Sequence, residues 1–296
     1  MMSATASASP AQRSDKAPPA TTAITVRRPV WVAVCLPQLG MEAFFPRSQW
    51  LHSPQAIVIM EQQRSWLMNP AAIHAGVRSG MRRAGITLLC EDARFQQREP
   101  AREQQLLQQC AEVLLQFTPS VCMMSPATVL MDVTASLRLF GGIRLLRQRI
   151  RHVLAALDVS ACIAIAPVAM AAALLARHAA SRGRQNALCL SPQRLPARLD
   201  RLPVHALLQA APYVSLLEGI ACHKLGDLRR LPRAGLQRRT SAVLLQESDQ
   251  LYGERPAPLV WHVEAEHCEF TQELPDRMER SDQLQPHLQR LLTRLC

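Results

Sequence analysis

The run from Ser160 to Ala176 (SACIAIAPVAMAAALLA) limits the fold more than any other stretch of this chain. It is the only transmembrane candidate, yet it falls short of the roughly 20 apolar residues a bilayer span needs and is broken by Pro167. A buried strand turning straight into a buried, alanine-rich helix explains it better. Such a unit needs a sheet with helices packed on it. The same pattern recurs along the chain. Val30–Leu36 (VWVAVCL) is a strand-like run ended by Pro37, and Ala56–Met60 (AIVIM) is another, after a turn at Ser53-Pro54. Residues 101–117 carry Leu106, Leu107, Cys110, Val113, Leu114 and Phe117 at helical spacing. A strand at Val129–Val133, a turn at Gly141-Gly142, a helix through about Leu157, a strand at Val159–Ala166 and a helix at Val168–Ala179 complete the alternation. The predicted class is α/β (α+β), with no membrane span.

The length of 296 residues allows about two domains. Residues 1–28, rich in Ala, Ser, Thr and Pro without periodicity, read as a disordered tail with no apolar signal-peptide core. Arg27-Arg28 precede too short and too proline-rich a run for an export signal. The nine cysteines are scattered, with no CxxC and no zinc spacing, and most sit in apolar stretches where a thiol acts as a small hydrophobe. That pattern suits a reducing cytosol, so a cytoplasmic protein is expected.

Charge is unevenly spread. The chain carries 34 Lys+Arg against 23 Asp+Glu, a net charge of +11, which favours a polyanionic partner. The basic residues concentrate between Arg177 and Thr240, and from Ser241 onward acids predominate. Catalytic patterns are missing: no paired acids at a strand end, no phosphate-cradling glycine loop and no nucleophile elbow. GVRSGM (76–81) is too short for such a loop. No metal site and no cofactor are expected.

Binding chemistry is better represented. Leu217–Arg239 (LEGIACHKLGDLRRLPRAGLQRR) reads as a helix, a hairpin at Ala221–Lys224, a helix over Leu225–Leu231 and a second turn at Pro232–Gly235. Helix starts leave backbone N–H groups without intrahelical acceptors, and these attract phosphate. Lys224, Arg229, Arg230, Arg233, Gly235, Arg238 and Arg239 are therefore the candidate DNA contacts, holding a sugar-phosphate strand without reading its sequence. A solvated basic face on a helical domain is the alternative reading.

Five motifs in order, WVAVCLPQLGMEAF (31–44), GVRSGM (76–81), VLMDVTASLRLFGG (129–142), ACIAIAP (161–167) and LGDLRRLPRAGL (225–236), resemble the Y-family translesion DNA polymerases, and within them the ImuB-like, UmuC-like branch that lacks catalysis. The resemblance covers about residues 30–290. It implies a palm over 29–190 with fingers inserted at about 51–95, a helix-hairpin-helix-like thumb over 191–258, and a little finger that begins at 259 and is truncated at 296.

The resemblance also exposes departures. Family members hold two magnesium ions with carboxylates whose positions fall here on Cys35, Ala127 and Thr128, while a companion Asp position falls on Pro37. The remaining acid, Asp132, does not hold metals in the family. The triphosphate-gripping Tyr and Arg align with Pro70 and Ile73, and the steric-gate aromatic aligns with Gly40. A thiol, a methyl and a hydroxyl cannot hold two hard cations. The resemblance thus implies a non-catalytic scaffold of SOS mutagenesis and DNA repair that binds DNA. Its implied protein partners are the β sliding clamp, an error-prone C-family DNA polymerase and the RecA-like ImuA protein, contacted through segments past the little finger. An active error-prone polymerase with displaced ligands, or a generic DNA-binding repair adaptor, stays open at this point.

Overall fold

The computed structural model describes residues 28–262. The expected disordered tail up to residue 27, and the expected little-finger strand and helix past residue 262, lie outside the described residues.

β1 (Trp31–Cys35) is the first expected strand. Successive side chains of a strand face opposite sides. Here both sides are apolar: Val32 and Val34 join one core cluster, Ala33 and Cys35 another. A strand buried on both faces belongs inside a sheet, and β1 lies at its centre. The short helices α1 (Leu39–Glu42) and α2 (Arg47–Leu51) follow. Next come β2 (Ile57–Glu61), β3 (Arg64–Met68), α3 (Pro70–His74), α4 (Arg83–Leu89) and β4 (Arg94–Gln97). The main layer resumes with α5 (Pro100–Leu114), β5 (Val121–Met124), β6 (Thr128–Asp132), α6 (Ile143–Ala156), β7 (Cys162–Ala166), α7 (Ala169–Ser181) and β8 (Asn186–Leu188). The main sheet has the order β5-β6-β1-β7-β8, with β1 antiparallel to both β6 and β7.

Helices α5 and α6 cover one face of this sheet through Leu107, Cys110, Leu114, Leu146, Ile150 and Leu154. The other face packs on α7, whose Ala171, Ala172, Ala173 and Ala176 are fully buried. A helix buried over most of its length carries few polar residues, which is why the sequence here superficially suits a membrane. Among the described residues no helix is long and apolar enough to cross one.

β2, β3 and β4 form a separate sheet of order β3-β2-β4, inserted between α2 and α5. One face packs on α3 and α4 through Val58, Met60, Ala72 and Ile86. The other meets α1 and α2 through Ile57, Ile59, Met41 and Trp50. GVRSGM acquires a structural role here: the Ser65 N–H donates to the Met81 carbonyl (2.8 Å), and the Gly80 N–H to the Ser65 carbonyl (2.8 Å), stapling this loop to β3.

Beyond β8 the chain is helical, with α8 (Leu195–Leu199), α9 (Val214–Gly219), α10 (Leu225–Arg230), α11 (Arg233–Arg239) and α12 (Ala242–Tyr252) as its α-helices. This module does not close a core of its own. Leu199, Leu217, Leu225, Leu244 and Leu251 belong to the same cluster as Ala33 of β1 and the alanines of α7. The chain then returns to the main sheet, where the His262 N–H donates to the Val121 carbonyl (2.7 Å) and Trp261 stacks on Trp31 at 6.2 Å.

Candidate nucleic-acid interface and the cleft beside it

The sequence positions expected to be degenerate do come together. In the register of the sheet Cys35 pairs with Thr128 on β6 and with Cys162 on β7. Cys35, Pro37 and Ala127 line a cleft of about 700 Å³ between the main sheet, α5, the inserted sheet and α7. Thr128, fully buried, donates its hydroxyl to the Pro126 carbonyl at 2.6 Å. Burial pushes the Cys35 thiol up to about 11, so it is protonated at neutral pH, against the smaller opposing influence of the nearby Arg177 guanidinium. Asp132 pairs with Trp31 at the far end of β1 from Cys35. There its carboxylate accepts the Thr134 N–H at 2.9 Å, a turn-capping role.

Two magnesium ions, which the polymerase resemblance implies, do not fit this donor set. A neutral thiol, a methyl and an engaged hydroxyl offer no charged oxygen to a hard cation. Among the described residues no three His, Cys, Asp or Glu side chains gather closely enough to hold a metal.

The cleft is also filled from the side of the inserted sheet. A Cβ built on Gly40 would lie 2.2 Å from Cζ3 of Trp66 on β3, so the indole occupies the space a side chain at position 40 would need. The Arg98 guanidinium stacks over Trp66 with its Cζ 4.0 Å from the ring centroid. Arg98 in turn donates to both oxygens of Glu103 on α5 (2.7 and 2.8 Å) and to Glu61 (2.5 Å). This assembly ties the inserted sheet to the main layer. Pro70 opens α3 and Ile73 is half exposed, and neither lines the cleft. Trp66, Arg98 and Arg177 are the residues the sequence reading missed. The aligned loss of bulk at Gly40 was the one available signal for Trp66.

In the helical module the arginines separate into two groups. Arg233 makes a bidentate pair with Asp249 (both 2.8 Å), fixing α11 to α12. Arg229 stacks over Tyr252 at 4.6 Å, beside Asp200, which accepts the Tyr252 hydroxyl at 2.6 Å. Arg230 reaches Asp227 at 3.3 Å on an exposed face. Lys224, Arg238 and Arg239 are exposed and make no ion pair among the described residues.

Two expectations about this hairpin need correction. The N–H groups at the start of α10 are already engaged: Lys224 donates to Asp227 (3.0 Å), Leu225 to the Leu202 carbonyl (2.9 Å) and Gly226 to the Asp200 carbonyl (3.1 Å). They are therefore not available to phosphate. Gly235 lies inside α11 rather than in a turn, because Pro232 fits the helix entry and the helix begins at Arg233. The N–H groups of Arg233, Ala234 and Gly235 form the first turn of α11, which has no intrahelical acceptors. Nothing stands within 4 Å of a Cβ position on Gly235, so the backbone there is open to close approach.

The sequence profile of the impB/mucB/samB family matches residues 41–177. The "Protein ImuB" of Caulobacter vibrioides is 28% identical over 178 residues, which cover 60% of this chain and 38% of that protein. The "DNA polymerase IV" of Desulfatibacillum aliphaticivorans is 28% identical over 203 residues, 65% of this chain and 50% of that one. The match therefore spans half or less of the length of these relatives. Among solved structures, an insertion ternary complex of Dbh DNA polymerase superposes with a TM-score of 0.61 at 16% identity, covering 77% of this chain and 69% of that one. DinB from Sulfolobus solfataricus gives 0.59 at 16% identity, with 78% and 69% covered. At these identities the structures establish a shared architecture: a mixed α+β polymerase-like fold, matched in part.

Proposed function

We propose that this chain, an ImuB-like homologue of the Y-family DNA polymerases, is a DNA-binding scaffold of SOS-induced translesion synthesis that carries out no nucleotidyl transfer. In this reading the main sheet with α5, α6 and α7 is the palm, the inserted sheet is the fingers and the helical module is the thumb.

One observation carries the non-catalytic reading: of the positions that the resemblance assigns to metal ligands, Cys35 and Ala127 line one cleft, Thr128 pairs with Cys35 and is buried, and Trp66 fills the space beside Gly40. In-line phosphoryl transfer depends on metal-borne charge at the attacking and leaving oxygens. These walls cannot recruit it. DNA binding rests on Lys224, Arg238 and Arg239, exposed cations with no ion-pair partner among the described residues, which offer phosphate contacts independent of base sequence.

Primer extension with magnesium or manganese, run beside DNA binding on the same preparation, tests this. Retained duplex binding without incorporation is expected. Template-dependent incorporation that disappears in a Trp66 variant would place real chemistry in the cleft and overturn the reading. The proposed assembly with a sliding clamp, a C-family polymerase and ImuA is tested by co-purification of each with the chain.

A further inference from the structure

Arg177 carries a largely buried charge with no ion-pair partner among the described residues. It projects from α7 into the cleft lined by Cys35 and Ala127, and its Nε and Nη1 are buried without a hydrogen-bond partner among the described residues. A guanidinium keeps its charge in proteins, and leaving one buried and unpaired is costly. Burial pulls its pKa down, with the nearby Glu247 opposing. No wall of the cleft answers that charge. Glu103 is the only carboxylate among the described lining residues, and both its oxygens are held by Arg98. Glu247 accepts the Leu208 and Gln209 N–H groups at 3.2 and 3.0 Å and forms no ion pair with Arg177. The Cys35 thiol is protonated, so no thiolate stands in.

A second orphan faces the same space. Gln38 Oε1 is buried without a donor, and a rotated amide would present its NH₂ group to an anion instead. Next to this cleft, sharing Pro37, Gln38 and Ala180 as walls, lies a smaller one of about 260 Å³ lined by Arg47, Arg151 and Arg184. Two adjoining cavities thus hold an unpaired buried guanidinium and three further arginines. Such spacing suits a ligand with more than one anionic group.

We propose that Arg177 anchors a metal-independent phosphate site in this cleft, which takes a phosphate ester or diphosphate on the edge of its guanidinium that reaches the cleft, the side chain turning to offer its buried donors, with the arginines of the neighbouring cavity as secondary contacts. The bound phosphate supplies the missing counter-charge. This site is separate from the thumb contacts of the proposed function, so either can fail alone.

The test uses pyrophosphate as the probe, in EDTA, followed by calorimetry and thermal shift on the full chain. The parent is expected to bind and to be stabilised without any divalent metal. Arg177→Met should bind at least tenfold more weakly while melting no lower than the parent without ligand, because it removes an uncompensated charge. Arg177→Lys, which keeps the charge but loses the fork, should fall between them and covers the case in which the Met variant does not fold. Absence of binding in EDTA, or equal affinity in parent and variants, overturns the proposal. Single strands with and without a 5′-phosphate identify the source. A preference for the phosphorylated strand that vanishes in Arg177→Met assigns a strand terminus, whereas pyrophosphate binding without that preference assigns a free diphosphate; both support the site. The salt dependence of duplex binding by the thumb should be the same in parent and Arg177→Met.

Discussion

At position 40 a single missing Cβ decides what the cleft can hold. Trp66 needs that space, and Arg98 stacks over the indole. Gly40→Ala should therefore destabilise the chain by about 1–3 kcal/mol, the usual range for overpacking. Combined with Trp66→Ala it should cost less than the two single changes added, and a denaturant double-mutant cycle reads this coupling. Strict additivity would mean that the two sites do not touch in solution. The buried thiols make a second prediction at this scale. Burial raises Cys35 and Cys162 to about 11 and Cys110 to about 12, above the ordinary value of 9.0. Unfolded thiols ionise first, so the unfolded state gains as pH rises past 9 and stability falls from there through about pH 11 to 12. A thermal melt series should decline over that window, and less steeply in Cys110→Ala.

Among elements, α11 separates a cation that builds the fold from exposed cations without an acidic partner among the described residues. Arg233 is held by Asp249, whereas Arg238 and Arg239 at the other end of the helix have no acidic partner among the described residues. Replacing Lys224, Arg238 and Arg239 together by alanine should weaken DNA binding at low salt. It should also flatten the log–log salt dependence by about 0.7–0.9 for each phosphate no longer neutralised. Arg233→Ala should lower the melting temperature and leave that slope largely in place. If instead the slope follows Arg233 and ignores the other three, the interface lies at the start of α11 alone. Helix α7 allows a matching test. Ala176 is fully buried between the sheet and the helical module, and Ala176→Leu should cost about 1–3 kcal/mol by forcing those layers apart.

For the whole molecule, one apolar cluster runs from the main sheet through α7 into the helical module. A boundary at residue 190 is a change of composition and not a break in packing. The two parts should therefore unfold in a single calorimetric transition with equal van't Hoff and calorimetric enthalpies. Two resolved transitions would mean that the shared core is weaker than its continuity implies. The inserted sheet has its own cluster and is joined to the main layer through α1, α2 and the Arg98 assembly. It is the part in which faster amide exchange is expected.

Much of this architecture was legible in the sequence because burial on both faces writes uninterrupted apolar runs. β1, β2, β6 and β7, the long helices α5, α6 and α7 and the glycine turn before α6 all stand close to where periodicity put them. β3, β4 and β8 were not legible: RSWLM and RFQQ mix charge with apolar residues, and a three-residue strand has no period. They are strands because neighbours complete their hydrogen bonding. That Cys35, Ala127 and Thr128 offer no charged oxygen was likewise visible in the residue types, since which atoms can carry charge is a property of the side chain alone. Tertiary structure decided which charges are free. Arg229 and Arg233 look like Arg238 and Arg239 in the sequence and differ only through Tyr252, Asp200 and Asp249, which folding brings to the first two. It also decided that Trp66 fills the space at Gly40 and that Arg177 has no counter-ion among the described residues, because both depend on residues far apart in the chain meeting across one cleft.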